Sequence, residues 1–344
     1  MARAGQTCLF ILILLNFTAC GVTMAETKFD WKATESAPKY FPMEIIKGDF
    51  HAPDGYSLYV PNKKLISDGW GSGVSSHLVG PDLKSLPDRL KITFYSYVDD
   101  KFYHGDFELP YDEILRLFQQ GYYSPKEETR TTYFEIIAGV APGGQVTVWL
   151  GGIDSTKEVF TGQAQETKLE WTKITENTDL TRKEYRDEMI EYSRKEMDER
   201  ERNMLNQKGV PTGLWSGYRK QFQWEPTFTG QKPPELIDLI KYYNGEEGYL
   251  LYPLEVDNQN KTRPVPKELH FVWALTDDKK RLFEVYFDEE EIFEAFEKLA
   301  KGNEPLKLRM HTEDTEKGPG FWPVLENGQD RIVLRKTRVE FYGV

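Results

Sequence analysis

The sequence predicts an α+β protein made of two related modules, each an antiparallel sheet with a short packed helix, joined by a long charged helix. Three observations predict this class. A segment occurs twice, at residues 86–120 and 265–299. Within each copy, alternating apolar residues precede a helical apolar stripe. A charged run over residues 179–208 contains neither Pro nor Gly, and a chain of 344 residues is longer than one compact core usually extends.

The repeated segment begins with a predicted strand in each copy. Apolar residues at every second position share one face of a strand, and that face is expected to be buried. These residues are Leu90, Ile92 and Phe94 in the first copy and Leu269, Phe271 and Trp273 in the second. The acidic pairs at 99–100 and 277–278 predict turns, which makes each unit an antiparallel hairpin. Catalytic carboxylates are the alternative interpretation of these pairs.

A short helix is predicted after each hairpin, because apolar residues recur at helical spacing. These residues are Ile114, Leu115 and Phe118 in the first copy and Ile292, Phe293, Phe296 and Leu299 in the second. Asp288 and Glu291 have the spacing of a capping box, so they predict where the second helix begins.

The remaining segments complete the predicted organisation. We expect strands at residues 40–50 and 221–224, a hairpin at 133–150, a helix near 236–243, and strands at 306–311 and 331–341. The predicted divisions are a signal peptide (1–19), a tether (20–38), module one (39–178), a linking helix (179–209) and module two (210–344). A coiled-coil partner for the linking helix is the alternative to packing on a module.

The N-terminal residues predict a lipoprotein signal peptide. Arg3 supplies a positive charge, and the apolar run at residues 8–17 is too short for a bilayer span, which needs about 20 residues. Residues 17–21 resemble the bacterial lipobox, in which small residues precede a cysteine that is lipidated. We therefore expect Cys20 to become the lipidated first residue, and Gly21 after it favours the outer membrane, facing the periplasm. A helix buried in the core is the alternative interpretation.

The charge balance limits the partners. The formal net charge is −12, from 44 basic and 56 acidic residues. Such a chain repels phosphate backbones, so we expect no nucleic-acid partner, and neutral or basic partners are favoured.

The sequence contains no recognisable catalytic or metal-binding motif. Ser72 has Gly on both sides, but Trp70 and Val74 occupy the positions where a nucleophile elbow requires Gly. The histidines at 51, 77, 104, 270 and 311 are scattered and do not form a zinc motif. We therefore predict no catalytic residue, no metal site and no cofactor.

Aromatic and polar residues of the 69–77 loop and the 213–218 segment, together with a tryptophan beside Pro323, are the predicted partner-binding residues, since aromatic side chains often anchor interfaces. These residues are Trp70, Ser72, His77, Trp215, Tyr218 and Trp322. Half-buried packing is the alternative interpretation of the tryptophans.

Three segments carry a family resemblance: residues 86–110 (LPDRLKITFYSYVDDKFYHGDFELP), 136–152 (IIAGVAPGGQVTVWLGG) and 213–224 (GLWSGYRKQFQW). Together they resemble an uncharacterised family of bacterial lipoproteins, a domain of unknown function, over most of the mature chain. The family is often found near lipase effectors of type VI secretion. The resemblance therefore implies an immunity protein for a cognate lipase and supplies no catalytic residue.

The functional hypothesis is a lipid-anchored periplasmic binding protein, not an enzyme, that occludes a type VI secreted phospholipase. Its partners would be that lipase and, through lipidated Cys20, the membrane. An envelope hydrolase and a structural or solute-binding lipoprotein are the alternatives. A lipase gene beside this one would favour the first hypothesis, and a polar cleft would favour the hydrolase.

Overall fold

A computed structural model describes residues 26–176, 179–211, 213–229, 234, 236–252, 254, 259, 261–276, 279–301, 304–315 and 318–343. The protein is mostly β, with 46% strand and 17% helix. The predicted α+β class is therefore wrong: the helices are short, and no long charged helix joins two modules.

The elements of residues 26–176 are β1 (Lys28–Phe29), β2 (Lys32–Ser36), β3 (Met43–His51), β4 (Ser57–Tyr59), β5 (Leu65–Ile66), β6 (Lys84–Ser85), β7 (Arg89–Ser96), β8 (Lys101–Glu108), α1 (Tyr111–Gln120), β9 (Tyr122–Ser124), β10 (Thr129–Thr131), β11 (Glu135–Ala141), β12 (Gln145–Gly151), β13 (Thr156–Gln163) and β14 (Gln165–Thr167). Two 3₁₀ turns lie at Pro142–Gly144 and Trp171–Lys173.

The later elements are α2 (Arg182–Ser193), α3 (Glu199–Lys208), α4 (Leu214–Gly217), β15 (Gln221–Thr229), β16 (Leu236–Tyr242), β17 (Glu247–Leu251), β18 (Thr262–Pro264), β19 (Pro266–Thr276), β20 (Lys279–Tyr286), α5 (Glu289–Leu299), β21 (Leu306–Thr315), β22 (Gly318–Glu326), β23 (Arg331–Val333) and β24 (Arg338–Gly343).

The N-terminal sandwich, residues 26–176, consists of two facing sheets. One has the strand order β14-β8-β7-β3-β4, with β5 also on β3, and the other contains β2-β11-β12-β13, with β2 parallel to β11. Side chains from both sheets form one core, for example Ile45 and Phe94 from the first and Val146 from the second. Helix α1 connects the two sheets and adds Ile114 and Phe118 to this core.

The C-terminal sandwich, residues 213–343, repeats this strand order. Its sheets are β24-β20-β19-β16-β17 and β15-β21-β22-β23, with β15 parallel to β21 and β18 as an additional strand on β15. Helix α5 connects them as α1 does, and its Ile292 and Phe296 enter a core with Trp224, Phe271 and Leu308.

A single sheet runs through both sandwiches. Strand β13, at the edge of the N-terminal sandwich, pairs with β17 of the C-terminal sandwich at Thr156 and Glu247. The result is a nine-stranded sheet in the order β2-β11-β12-β13-β17-β16-β19-β20-β24. The two sandwiches therefore share backbone hydrogen bonding as well as side-chain contacts.

The charged run at 179–208 forms two helices instead of one. Thr181 and Asp198 each begin a helix by accepting the N–H of the residue three positions later, and each has a reciprocal Glu side chain. The second capping box starts a new helix within the run, since its aspartate favours a helix N-terminus over a helix interior. Helix α2 covers the outer face of β7 and β8, where Tyr185 packs near the buried Tyr95 and Tyr97.

Two further segments differ from the sequence predictions. Residues 236–242 form strand β16 rather than the predicted helix. A short apolar run is compatible with either structure, and here pairing with β17 and β19 stabilises the strand. Within the predicted tether, residues 28–36 include two strands, and Trp31 is buried against Phe50. Residues 1–25 and the acidic pair at 277–278 lie outside the described residues.

Truncation of Phe94 or Trp273 to Ala is expected to lower the free energy of unfolding by about 3–5 kcal/mol, because each leaves a cavity in its own core. Phe94 is 0% exposed and Trp273 is 1% exposed. Urea unfolding of the purified protein measures the change. Val272→Ala, at a residue 36% exposed, is the control and should cost less than about 0.5 kcal/mol. Equal losses for all three variants would contradict the assignment of buried faces.

Candidate functional site

Two of the predicted partner-binding tryptophans lie where the sandwiches meet. Trp70 packs edge-on against Trp149 with ring centroids 4.7 Å apart, and its centroid is 6.3 Å from that of Trp215. Phe41 completes the group at 5.4 Å from Trp215. Trp215 is buried, and the Trp149 indole N–H donates to the carbonyl of Asn244 at 3.1 Å. These indoles join the two sandwiches, which agrees with the alternative interpretation of Trp70 and Trp215 as packing residues; binding of a partner by them stays a prediction.

The loop carrying Trp70 is fixed by a close backbone approach. Gly71 has φ +85° and Gly245 has φ +87°, and a Cβ added at Gly71 would lie 2.3 Å from the Gly245 carbonyl oxygen. The Ser36 hydroxyl accepts the Gly71 N–H at 3.0 Å and donates to the Gly69 carbonyl at 2.8 Å. Gly71 and Gly245 therefore allow two turns to touch.

Charged groups surround the same junction. Glu246 accepts from Lys157 Nζ at 2.6 Å and from the backbone N–H of Glu158 at 3.1 Å. The Glu158 carboxylate pairs with Arg219 at 2.5 Å. Burial raises the pKa of Glu158 above its usual value, although the Arg219 guanidinium opposes the shift. An acidic turn of the C-terminal sandwich thus lies on the edge strand of the N-terminal one.

The remaining predicted residues are dispersed. Tyr218 is buried in the C-terminal core between Tyr243 and Phe293, so it is not available to a partner. Ser72 and His77 are exposed on the loop after β5. Cys20 lies outside the described residues. Trp322 is separate from all of these, on the outer face of β22.

Trp322 lines a concave surface, a groove of about 690 Å³ on the outer face of β21, β22 and β23. We call it the arginine groove. Its lining consists of Arg309, His311, Trp322, Val324, Arg331, Val333 and Arg335.

Strand alternation places these side chains together. On β21, Leu308 and Met310 are buried, so the residues between them face outward. Strand pairing then sets the rows: His311 lies opposite Trp322, and Arg309 opposite Val324. Val333 on β23 continues the second row beyond Val324.

The turn after β23 contributes Arg335. The Glu291 carboxylate at the start of α5 accepts the backbone N–H groups of Arg335 and Lys336 at 2.9 and 2.8 Å. Asp288 still caps α5 by accepting the Glu291 N–H at 3.1 Å. The predicted capping residue Glu291 therefore holds the turn that presents Arg335 to the groove.

Only some of the cationic side chains of the arginine groove have a carboxylate partner among the described residues. Arg309 forms a two-point pair with Glu326 at 3.1 and 3.2 Å. His311 bonds the hydroxyl of Thr229 at 2.7 Å, and its ring centroid is 6.1 Å from that of Trp322. Among the described residues, no ion pair joins a carboxylate to Arg331 or Arg335. These two guanidinium groups can therefore accept an external anion.

The arginine groove can bind a ligand that carries both an anionic group and an apolar group, because it combines charged hydrogen-bond donors with apolar surface. Guanidinium groups bind carboxylates or phosphates through paired hydrogen bonds, and Trp322 at 40% exposure offers a broad apolar face between them. In the part of the chain that the structure describes, no group of three His, Cys, Asp or Glu is arranged to hold a metal ion.

Trp322 is among the residues predicted from the sequence, and the arginines of the groove are not. A local signal existed, since Lys307, Arg309 and His311 alternate with apolar residues on a chain of net charge −12. Residues 331 and 335 gave no such signal, because their approach to Trp322 depends on strand pairing and on the turn held by α5.

Fold and groove together define the class: a tandem β-sandwich protein with a cationic, aromatic surface groove. In sequence, the chain belongs to the family described as Protein of unknown function (DUF2931), whose profile matches residues 20–213. The match covers the N-terminal sandwich and the two charged helices, and it ends before β15. No curated protein and no solved structure matches the chain. No helix among the described residues is both long and apolar enough to cross a membrane.

Gly71→Ala is expected to destabilise the protein by about 2 kcal/mol more than Gly55→Ala, because overpacking adds to the backbone strain that both variants share. Gly55 has φ +86° and open space around it, so it controls for strain alone. Urea unfolding followed by tryptophan fluorescence is the measurement. Equal destabilisation by the two variants would show that the junction accommodates a methyl group.

Proposed function

We propose that this chain is a lipid-anchored binding protein of the bacterial cell envelope that neutralises a secreted phospholipase by occluding it. The observation that carries the binding role is the arginine groove, in which the exposed Trp322 lies among Arg331 and Arg335. Tryptophan and arginine are the residue types most enriched at the energetic centres of protein interfaces.

The envelope location rests on the N-terminal sequence. The apolar run at 8–17 followed by Cys20 supports export and lipidation. Several acyl chains on one cysteine would hold the protein stably at a membrane, since a single chain gives only marginal binding. A lipid-anchored protein in the periplasm would meet a secreted enzyme before that enzyme reaches the phospholipid.

The identity of the target as a type VI secreted lipase rests on the family resemblance. The DUF2931 family is one of unknown function and its profile match ends at residue 213, so the lipase target is proposed from the resemblance alone. The arginine groove lies outside the matched residues. The N-terminal sandwich would then supply what the family shares, and the groove would supply contacts particular to this chain's target.

Cys20→Ala is expected to release the protein from membranes, or to leave it with its signal peptide attached, because the lipidated thiol is lost. Labelled palmitate and membrane fractionation measure the change. The two sandwiches should keep the unfolding curve of the unaltered protein, since Cys20 precedes them. Undiminished palmitate incorporation in the variant would contradict the anchor.

The purified protein is expected to stop phospholipid hydrolysis by its target at close to one molecule per lipase molecule. The lipase to test is one encoded beside this chain, with an unrelated lipase as the control, because occlusion needs a complementary surface. Residual hydrolysis is followed as the protein is titrated in. Phospholipid turnover by this protein alone would favour the hydrolase alternative, and equal inhibition of both lipases would contradict specific occlusion.

A further inference from the structure

The junction between the sandwiches shows how one sheet edge of this fold accepts an acidic turn. Strand β13 is the last strand of the N-terminal sheet β2-β11-β12-β13, and the turn before β17 lies against it. Glu246 of that turn pairs with Lys157 on β13. On the neighbouring β12, Trp149 donates to the carbonyl of Asn244. The docked turn therefore contributes a carboxylate to a lysine of the edge strand and a carbonyl to an outward tryptophan of the next strand.

The arginine groove is at the corresponding place in the C-terminal sandwich. Strand β23 is the last strand of β15-β21-β22-β23, as β13 is of its sheet, and the described strands leave its outer edge unpaired. Arg331 lies on β23, and Trp322 faces outward on β22. Each sandwich thus has a basic residue on this last strand and an outward tryptophan on the strand before it, and the tryptophan is covered in the first sandwich and exposed in the second.

We infer that the arginine groove binds an extended acidic segment of a protein partner. Carboxylates of the segment pair with Arg331 and Arg335, and an apolar side chain between them packs on Trp322, Val324 and Val333. The volume of about 690 Å³ suits a few residues of extended chain. This inference rests on the proposed function, because it takes the partner to be a protein.

The groove favours an acidic peptide over a phosphate for a structural reason. Valines and the Trp322 ring separate the arginines, so the surface alternates charged and apolar patches as an extended peptide does. A lone phosphate would leave this apolar surface uncovered. The net charge of −12 opposes an acidic partner at long range, but screening beyond about 8 Å at physiological salt leaves the local arginines dominant.

The test uses a fluorescein-labelled peptide in which Glu alternates with Leu, and a second peptide with Lys in place of Glu. Anisotropy titrations with the full chain should show binding of the first peptide only. The double variant R331Q/R335Q and the single variant W322A should each weaken it about 10-fold or more, because each removes charged or aromatic contacts.

Matched controls keep the comparison specific. The double variant K47Q/K91Q removes two positive charges, as R331Q/R335Q does, but at exposed lysines of the N-terminal sandwich. Y192A is the control for W322A, because it removes an aromatic side chain that is 59% exposed. Both should bind the peptide as the unaltered protein does. Urea unfolding of every variant checks that the fold is intact.

Several outcomes would overturn the inference. One is unchanged peptide binding in R331Q/R335Q. Another is that these arginines bind inorganic phosphate or phosphatidylglycerol vesicles and do not bind the peptide. Concentration-dependent self-association that R331Q/R335Q abolishes would assign the groove to a second copy of this chain. Lipase inhibition that persists without any peptide binding would reject the groove inference alone. Peptide binding without lipase inhibition would reject the proposed function alone.

Discussion

The contact between Gly71 and Gly245 determines how the two sandwiches meet. Both residues have positive φ angles, and a side chain at either would collide with the other turn. Their approach lets Trp70 reach Trp149 and lets Trp149 donate its indole N–H to the opposite turn. It also brings Glu246 to the edge of β13. The continuity of the nine-stranded sheet depends on this fit, because β13 and β17 share only the pair at Thr156 and Glu247.

The same contact explains why two sandwiches with one strand order present different surfaces. The outer face of β12 in the N-terminal sandwich is covered, with Trp149 at 0% exposure. The outer face of β22 has no such cover among the described residues, and Trp322 is 40% exposed. Helix α2 adds to the difference by covering β7 and β8, where Asp100 pairs with Arg182 and Arg186 at 2.6 and 3.1 Å. Neighbouring elements cover the N-terminal sandwich, so the C-terminal sandwich has the more accessible faces.

Much of the strand structure could be predicted from the sequence, because alternation is a local signal. The hairpins β7–β8 and β11–β12 and the helices α1 and α5 lie where their apolar spacing predicts. Residues 236–242 could not be assigned correctly, since strand and helix patterns coincide in short apolar runs and pairing decides between them. Sequence left packing and partner binding open for Trp70 and Trp215, because the residues that contact them, such as Trp149 and Phe41, are far away in sequence. Arg331 and Arg335 came together through strand register and a turn held by Glu291, neither of which leaves a sequence pattern.

Two sandwiches of like topology in one chain create a risk of mispairing during folding, and the turns show how it is limited. The turn at 52–56 is the counterpart of the turn at 242–246: each closes with the same pair of backbone hydrogen bonds and has a glycine at φ near +86°. Only the glycine is common to the two turn sequences, and at the last position Tyr56 stands where the junction turn has Glu246. A 52–56 turn from another chain would therefore place no carboxylate at the position of Glu246, so docking of two N-terminal sandwiches on each other would lack the ion pair with Lys157. The residue at the last turn position thus favours pairing of an N-terminal sandwich with a C-terminal one over pairing of two N-terminal sandwiches.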